Sequence, residues 1–509
     1  MKQVKVQVKN NNFLQLIDFT ENEIEQIQFS FKKRISNWRF HPLVKKGLWD
    51  GYISFIDKGL RIPAGLWNEL TQVCNRFNYE LEIEGIDNII DNNFDEEDFK
   101  NWIADFFSDH PKIKPRDYQI DACIPILKYR RSISEIATSA GKTLIIFMIF
   151  AYLKEKKGVN KFLMIVPNTS LILQTIEDFE EYNHRKITYT KQTIHGGSDK
   201  ETRNVNFIIG TYQSLVKMGK DFFADVNSVC VDEAHHTQAK SIKDILSKCN
   251  NATYTFGLSG TMLQNGSTEA LTIQAYLGPL VNNISANFLT QNKYATPIFV
   301  KVVKMQYLED EMRDKLEELR GRREEIDGAK MLEIEKRLVV ENKTRFLFVC
   351  DFISKTTKNS LVLFQNVKDN YGRNIYNYLR EITNNKTIFY VDGGTQQDLR
   401  DDYIQRMEVG EDKILIASFG TFSTGISINN IHNVFFVESY KSEKIVRQSI
   451  GRGMRLYEGK ERVNIIDFVD DFSTGDKPRH KNYLIKHSME RIKIYEEQGF
   501  PYKIYNIKI

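Results

Sequence analysis

What most limits the folds open to this chain is a repeated alternation of short apolar runs with longer stretches of helical pattern. From about residue 112 the runs ISEIA (133–137), FLMIVP (162–167), FIIGT (207–211), VCVDE (229–233) and TFGLSG (255–260) are separated by segments long enough for helices. Strands that are apolar on both faces must be covered on both faces, and parallel neighbours need a helical crossover between them. A second series follows: SLVLFQ (360–365), KTIFYVDG (386–393), KILIAS (413–418), NVFFVES (433–439) and NIIDFV (464–469). The chain is therefore expected to be α/β, with two parallel-sheet units in tandem.

The N-terminal part reads differently. VKVQVKN alternates like a strand, and ENEIEQIQFSFKKRI has the spacing of an amphipathic helix. Residues 80–105 then carry ten acidic side chains against Lys100 alone, and IIDNNFDEEDF reads as a polar connection. These features predict a small α+β accessory domain over 1–90, a first sheet unit over 91–285, a connecting strand and helical arm over 286–345, and a second sheet unit over 346–509. In the arm, Met312, Leu316 and Leu319 fall on one helical face.

The net charge of +4 decides little, but its distribution is uneven. Lys32, Lys33, Arg34, Arg39, Lys45, Lys46, Lys58 and Arg61 face only Asp50 and Asp57, and Trp38, Phe40, Trp49 and Tyr52 lie among them. Cations interleaved with aromatics suit a polyanion. They also suit a solvated basic face over a small core. Lys32, Lys33, Arg34, Lys45 and Lys46 are the candidate nucleic-acid contacts here. No apolar run reaches membrane length, so no membrane span is expected. The start, MKQVKVQVKNNN, lacks the apolar core of a secretory signal. Five scattered cysteines without a CxxC pair argue against zinc and against a disulfide framework, and fit a reducing cytosol.

Three segments carry chemistry. In IATSAGKTLIIF (136–147) a strand leads through Thr138, Ser139, Ala140 and Gly141 to Lys142 and Thr143, and an apolar helix follows. Backbone N–H groups at such a helix start face phosphates. Lys142 would neutralise the β/γ oxygens of ATP, and the Thr143 hydroxyl would ligate Mg²⁺. The first glycine of the strict phosphate-loop pattern is replaced by Ile136. In VCVDEAHH (229–236) apolar residues deliver Asp232 and Glu233 to a strand end. The aspartate can hold Mg²⁺, and the glutamate can orient and deprotonate the attacking water. In RQSIGRGMR (447–455) the spacing of Arg452 and Arg455 predicts one shared helical face, set against charge that grows on the transferred phosphate.

Together these segments resemble the superfamily 2 helicases through most of 112–470. The resemblance implies two RecA-like lobes with ATP between them, nucleic acid across their outer face, and Arg452 and Arg455 as arginine fingers. RDYQIDA is similar to the adenine-reading motif, with Gln119 as reader. IVPNTSLILQ and IGTYQSL imply strand contacts from Thr169, Gln174, Thr211 and Gln213, and LVLFQNVK and ASFGTFSTGISI add Asn366 and Thr424. Gly425 joins the nucleotide-binding set, and Ser427 stands where many relatives carry aspartate. His235, Ser259, Thr261 and Gln448 are implied to couple hydrolysis to movement. NWRFHP and GLWDGYISFID, with TSAGKT, VDEAHH and QSIGRGMR, are similar to the UvsW family of bacteriophage helicases nearly end to end. That likeness implies a DNA helicase that remodels forks, Holliday junctions and R-loops in recombination, repair and replication. Its partners would be branched DNA, RNA–DNA hybrids, and single-stranded-DNA-binding or recombination proteins in the host bacterial cytoplasm. The alternatives are an RNA-directed helicase, a duplex translocase such as a restriction motor, and a binding module with an inactive ATPase remnant. Intact Lys142, Asp232, Glu233, Arg452 and Arg455 speak against the last.

Overall fold

The computed structural model describes residues 2–35, 38–184, 186–196, 204–234, 239–260, 268–307, 318, 328–365, 367, 369–423, 428–439, 443–473 and 481–509. They form two compact units, Met1–Ala137 with Gly141–Ile284, and Thr138–Ala140 with Ser285–Ile509. Among the described residues no helix is long and apolar enough to cross a membrane.

The first unit begins with β1 (Lys2–Asn10), β2 (Phe13–Leu16), β3 (Lys32–Arg34), β4 (Tyr52–Ser54), β5 (Arg61–Pro63) and β6 (Tyr79–Glu84). Four of them form a sheet in the order β5-β2-β1-β6, while β3 and β4 pair as a separate antiparallel ribbon. The alternation in β1 buries Val4 and Val6 on one face. They pack with Leu14, Ile27, Ile62, Leu66 and Leu70, drawing in the helices Glu21–Ser30 and Trp67–Arg76. Glu23 closes a capping box at the first helix by accepting from the Thr20 N–H at 2.8 Å.

This core extends past the polar stretch near residue 90. Ala275 and Leu271, from the helix Thr268–Leu277, belong to it. Gly65 sits so close to that helix that a Cβ would lie 2.2 Å from the Gln274 carbonyl oxygen. Arg131 adds polar links, donating to Tyr276 O at 2.9 Å and to Asn12 Oδ1 at 2.8 Å. The small sheet and the larger one beside it therefore share packing.

The larger sheet is wholly parallel: β7 (Arg131–Ile136), β8 (Phe162–Val166), β9 (Lys191–Ile194), β10 (Phe207–Thr211), β11 (Ser228–Asp232), β12 (Tyr254–Ser259) and β13 (Leu280–Ile284). Its order is β13-β7-β12-β11-β8-β10-β9. The apolar runs identified in the sequence are β7, β8, β10, β11 and β12, which lie inside the sheet. The two edge strands, KQTI and LVNNI, have one open side and no continuous apolar run, so they carry no comparable signal. The helix Lys142–Lys156 is buried from Leu144 to Leu153, as expected of a helix that is apolar all round.

The second unit repeats the plan with β14 (Ile298–Gln306), β15 (Ser360–Phe364), β16 (Thr387–Val391), β17 (Lys413–Ser418), β18 (Asn433–Phe436), β19 (Val463–Asp471) and β20 (Tyr502–Lys508). All pairings are parallel, in the order β16-β17-β15-β18-β19-β14-β20. The strand expected in the 286–345 connection is β14, an interior strand of this sheet. Of the helical arm, the described part is the helix Gly328–Glu341, which packs Met331 and Leu338 on Tyr307, Phe472 and Leu484. Met312, Leu316 and Leu319 lie outside the described residues. Two buried ion pairs tie β19 to its covering helices. Arg345 reaches Asp470 at 2.6 Å, and Arg491 grips Asp467 through two 2.9 Å bonds.

Candidate functional site

Parallel strands bring all their C-terminal ends to one edge, where α/β sheets bind ligands. In the first unit the neighbours β7, β12 and β11 present three things there: the loop leading to Lys142, Ser259, and the pair Asp232–Glu233. Lys142 is the first residue of its helix, and Gly141 caps it with φ +79°. Ser139 is also left-handed, at φ +72°. A Cβ on Gly141 would lie 2.3 Å from Gln119 Nε2. The backbone angle favours glycine, and a side chain there would have to displace the Gln119 amide. Gln119 is buried, and its Oε1 accepts from the Arg116 N–H at 2.9 Å, which holds the amide against the loop.

Lys142 Nζ meets Glu233 Oε1 at 3.1 Å, with 14% and 13% of the two side chains exposed. Successive strand residues point to opposite faces. Glu233 escapes that rule because it leaves β11 with φ +53°, and its N–H donates to Asp232 Oδ1 at 2.9 Å. Both carboxylates thus come to the edge that carries Lys142. Burial, reinforced by the Glu233 charge and opposed by Lys142, pushes the Asp232 carboxyl up to about 7. Thr143 is half-buried in the first helical turn, and Ser259 is buried at the end of β12. His235 and Thr261 lie outside the described residues.

Further along the same edge, β8 and β10 are neighbours with Val166 paired to Thr211. Thr169 starts the helix after β8 and Gln174 lies in its second turn, and Gln213 follows β10 with Nε2 3.5 Å from Pro167 O. Thr169 and Gln213 are exposed and Gln174 is half-buried. Thr211 is buried, and its hydroxyl donates to Ser214 Oγ at 3.2 Å, so its side chain faces inward.

In the second unit Arg452 lies on the helix Glu443–Gly453, donates to Phe422 O at 2.7 Å and stands 5.2 Å from the Phe422 ring. Arg455 does not share that helical face, contrary to the spacing argument, because the helix ends at Gly453. The carbonyls that would continue it are taken. Thr296 donates to Met454 O at 2.7 Å and to Arg455 O at 3.0 Å. Lys460 Nζ donates to Gly453 O at 2.7 Å, Arg455 O at 3.0 Å and Asn429 O at 2.8 Å. Burial pulls the Lys460 ammonium down to about 7, with Glu408 opposing and Arg455 adding to the shift. Neither Lys460 nor Phe422 is marked in the sequence, since each acts on backbone or a ring that only the fold brings near. Asn366, Thr424, Gly425 and Ser427 lie outside the described residues, as does the side chain of Gln448.

The basic-aromatic patch proves to be largely self-engaged. The Arg34 guanidinium lies 3.9 Å from the Trp38 ring and 4.4 Å from that of Tyr52. Lys32 pairs with Asp50 at 3.4 Å. Trp49 donates to Tyr52 O at 2.8 Å and meets His41 edge-on at 5.0 Å. Trp38, Trp49 and Tyr52 are thus engaged within the protein, whereas Phe40 is 72% exposed. Lys33, Lys45 and Lys46 are exposed.

Comparison with known proteins matches three family profiles in order along the chain. "DNA helicase UvsW, N-terminal" covers residues 1–84, "Type III restriction enzyme, res subunit" covers 112–264, and "Helicase conserved C-terminal domain" covers 344–457. The ATP-dependent DNA helicase uvsW of Enterobacteria phage T4 is 29% identical over 97% of each chain. A crystal structure of T4 UvsW matches all of both chains at 27% identity and TM-score 0.50. A second, of the UvsW helicase from bacteriophage T4, is 30% identical, with all of it matched to 55% of this chain and a TM-score of 0.50.

Proposed function

The chain belongs to the UvsW-type DNA helicases of superfamily 2, and from that premise we propose that it is a motor for branched DNA. As an ATP-dependent DNA helicase it hydrolyses ATP and acts on nucleic acid. The ATPase part of this reading rests above all on one observation: Lys142 and Glu233 are paired at 3.1 Å beside Asp232, on one sheet edge. The branched-DNA part is supported by the likeness to UvsW. The γ-phosphate of ATP outbids a single carboxylate for Lys142. Its arrival frees Glu233 to orient and deprotonate water. The left-handed Gly141 turn and the helix start at Lys142 give a helix N-terminus of the kind that suits a phosphate chain.

Thr138, Ser139, Ala140 and Gly141 are proposed to donate backbone N–H groups to the phosphates, and Gln119, already against that loop, to read adenine. The Thr143 hydroxyl and the Asp232 carboxylate are oxygen donors suited to Mg²⁺, which would supply neutralising charge at the phosphates. Arg452 and Arg455 are proposed to meet the charge that grows on the γ-phosphate. Thr169, Gln174 and Gln213 would grip phosphate and sugar, so the motor reads little sequence. Residues 1–90 are proposed to hold a duplex arm through Lys33, Lys45 and Lys46, and the substrates to be forks, four-way junctions and R-loops.

The test is the ATPase rate and strand displacement with single-stranded DNA, linear duplex, fork, four-way junction, R-loop and single-stranded RNA side by side. Branched DNA is expected to give the highest displacement. Stimulation by RNA alone, with branched DNA left intact, would contradict the proposal.

A further inference from the structure

Between β3 and β4 the described residues 38–51 make an excursion that adds no strand to the sheets of the first unit. Its neck is closed by the pairs Lys32↔Ser54 and Arg34↔Tyr52 and by the Ile35 N–H donating to Gly51 O at 2.9 Å. The Arg34 guanidinium beside Trp38 and Tyr52 stiffens that neck. Thr268 Oγ1 donates to Arg34 O at 2.7 Å, which ties the neck to the helix that follows β12. The excursion is thus mounted on the larger sheet of its own unit.

Beyond the neck, Trp38–Phe40 and Pro42–Lys45 form two short turns. His41 Nδ1 accepts from the Leu43 N–H at 3.3 Å, and Gly47, at φ +69°, reverses the chain so that the Leu48 N–H reaches Leu43 O at 2.9 Å. The result is a small tip whose apolar side chains point outward. Phe40 is 72% exposed, Leu43 46% and Leu48 73%. Arg39, Lys45 and Lys46 are exposed around them, and the one acidic residue of the excursion, Asp50, is paired with Lys32.

An apolar tip framed by cations is complementary to a polyanion that also shows apolar faces. Intact duplex shows few, because its bases are stacked. A branch point shows them, because the last base pairs of each arm have lost a neighbour. Apolar side chains set between base steps are a known way for proteins to unstack DNA. We propose that residues 38–49 form a wedge for the branch point of DNA: Arg39, Lys45 and Lys46 hold phosphates, and Phe40, Leu43 and Leu48 lie against the exposed base faces. The proposal rests on the reading that the N-terminal region binds DNA.

The two are separable by experiment in the full-length protein without ATP. A 2-aminopurine base is placed at the branch of a four-way junction or, as control, well inside one arm. Binding is expected to raise fluorescence at the branch only. Phe40→Ala with Leu48→Ala should abolish that rise and lower the preference for junction over linear duplex by about tenfold, the factor a single base stack is worth, while leaving the salt slope unchanged. Phe40→Trp should retain the signal, and melting temperatures control for folding. Lys45→Ala with Lys46→Ala should instead weaken binding to every DNA and flatten the salt dependence. If the apolar variant keeps both the signal and the preference while the lysine variant loses affinity, the wedge is overturned and DNA binding stands. If neither variant changes binding, both ideas fail. An apolar surface used for a partner protein would also leave the junction signal intact, and so counts against the wedge.

Discussion

Lys142, Asp232 and Glu233 form a triad in which each charge answers another. Removing Lys142 leaves two neighbouring carboxylates without their cation, so Lys142→Ala should reduce ATP turnover to background and weaken nucleotide binding. Glu233→Gln keeps a hydrogen-bonding shape but loses the base. It should still bind ATP, with kcat down by about 10²–10⁴-fold, the range of general-base contributions. Wild-type turnover in either variant would remove the site assignment. Arg452 and Arg455 are expected to act on the transition state more than on binding. Their alanine variants should therefore lower kcat more than they raise KM, with about 10³-fold the scale for a lost arginine finger. A change confined to KM would deny them that role. At this scale the sequence is most legible where the chemistry is contiguous, as in Ala140 to Thr143 or Asp232–Glu233. It is silent on Lys460, whose acceptors are carbonyls of Asn429, Gly453 and Arg455. It also misleads about Arg455, because residue spacing says nothing of where a helix stops.

Interior strands could be read because burial on both faces demands continuous apolar sequence, and the edge strands β9, β13 and β20 could not because edges make no such demand. β16, also at an edge, was legible because its run IFYV is apolar all the same. The covering of β19 rests on buried charge, which no hydrophobic pattern reveals. Arg345 is fully buried, with Asp470 Oδ1 at 2.6 Å, Tyr371 OH at 2.6 Å and Val437 O at 2.8 Å. Arg345→Met would leave Asp470 as an unpaired buried charge, and unfolding of this unit should become easier by about 3–5 kcal/mol. Adding Asp470→Leu should recover much of the loss. Denaturant titration of the single and double variants reads both, and a double variant no better than the single would contradict it. Lys460 gives a pH signature. Its folded value lies near 7, whereas an unfolded lysine titrates near 10.4. Below pH 7 both states hold the proton and the cost of burying it is present in full. Between the two values the unfolded chain holds a proton that the folded one lacks, so stability rises with pH. The melting temperature of the parent, relative to Lys460→Met, should therefore climb from pH 7 to pH 9. A constant difference would show that Lys460 does not titrate in that range.

The tandem plan of the molecule was legible because each parallel sheet repeats the same apolar rhythm. The packing of the N-terminal sheet was not. The acidic stretch after residue 80 reads as a boundary, yet Ala275 and Leu271 belong to the core that Val4 and Val6 start. Composition reports which residues avoid water and says nothing of which surfaces they find. The basic patch shows the same limit, since Trp38 and Tyr52 turned out to pack against Arg34 at the neck of an excursion, so that these aromatics are half-buried while the cations stay exposed. The whole-molecule function proposed is the coupling of ATP hydrolysis to work on branched DNA, and one measurement reaches it most directly. Strand displacement from a four-way junction and from a linear duplex of matched sequence is followed with ATP, for the parent and for Glu233→Gln. The parent is expected to open the junction in preference to the duplex, and Glu233→Gln to bind the junction without opening it. A parent protein that hydrolyses ATP on DNA but leaves the junction intact, or a Glu233→Gln variant that opens it as fast as the parent, would show that hydrolysis at this site does not drive the opening of branched DNA.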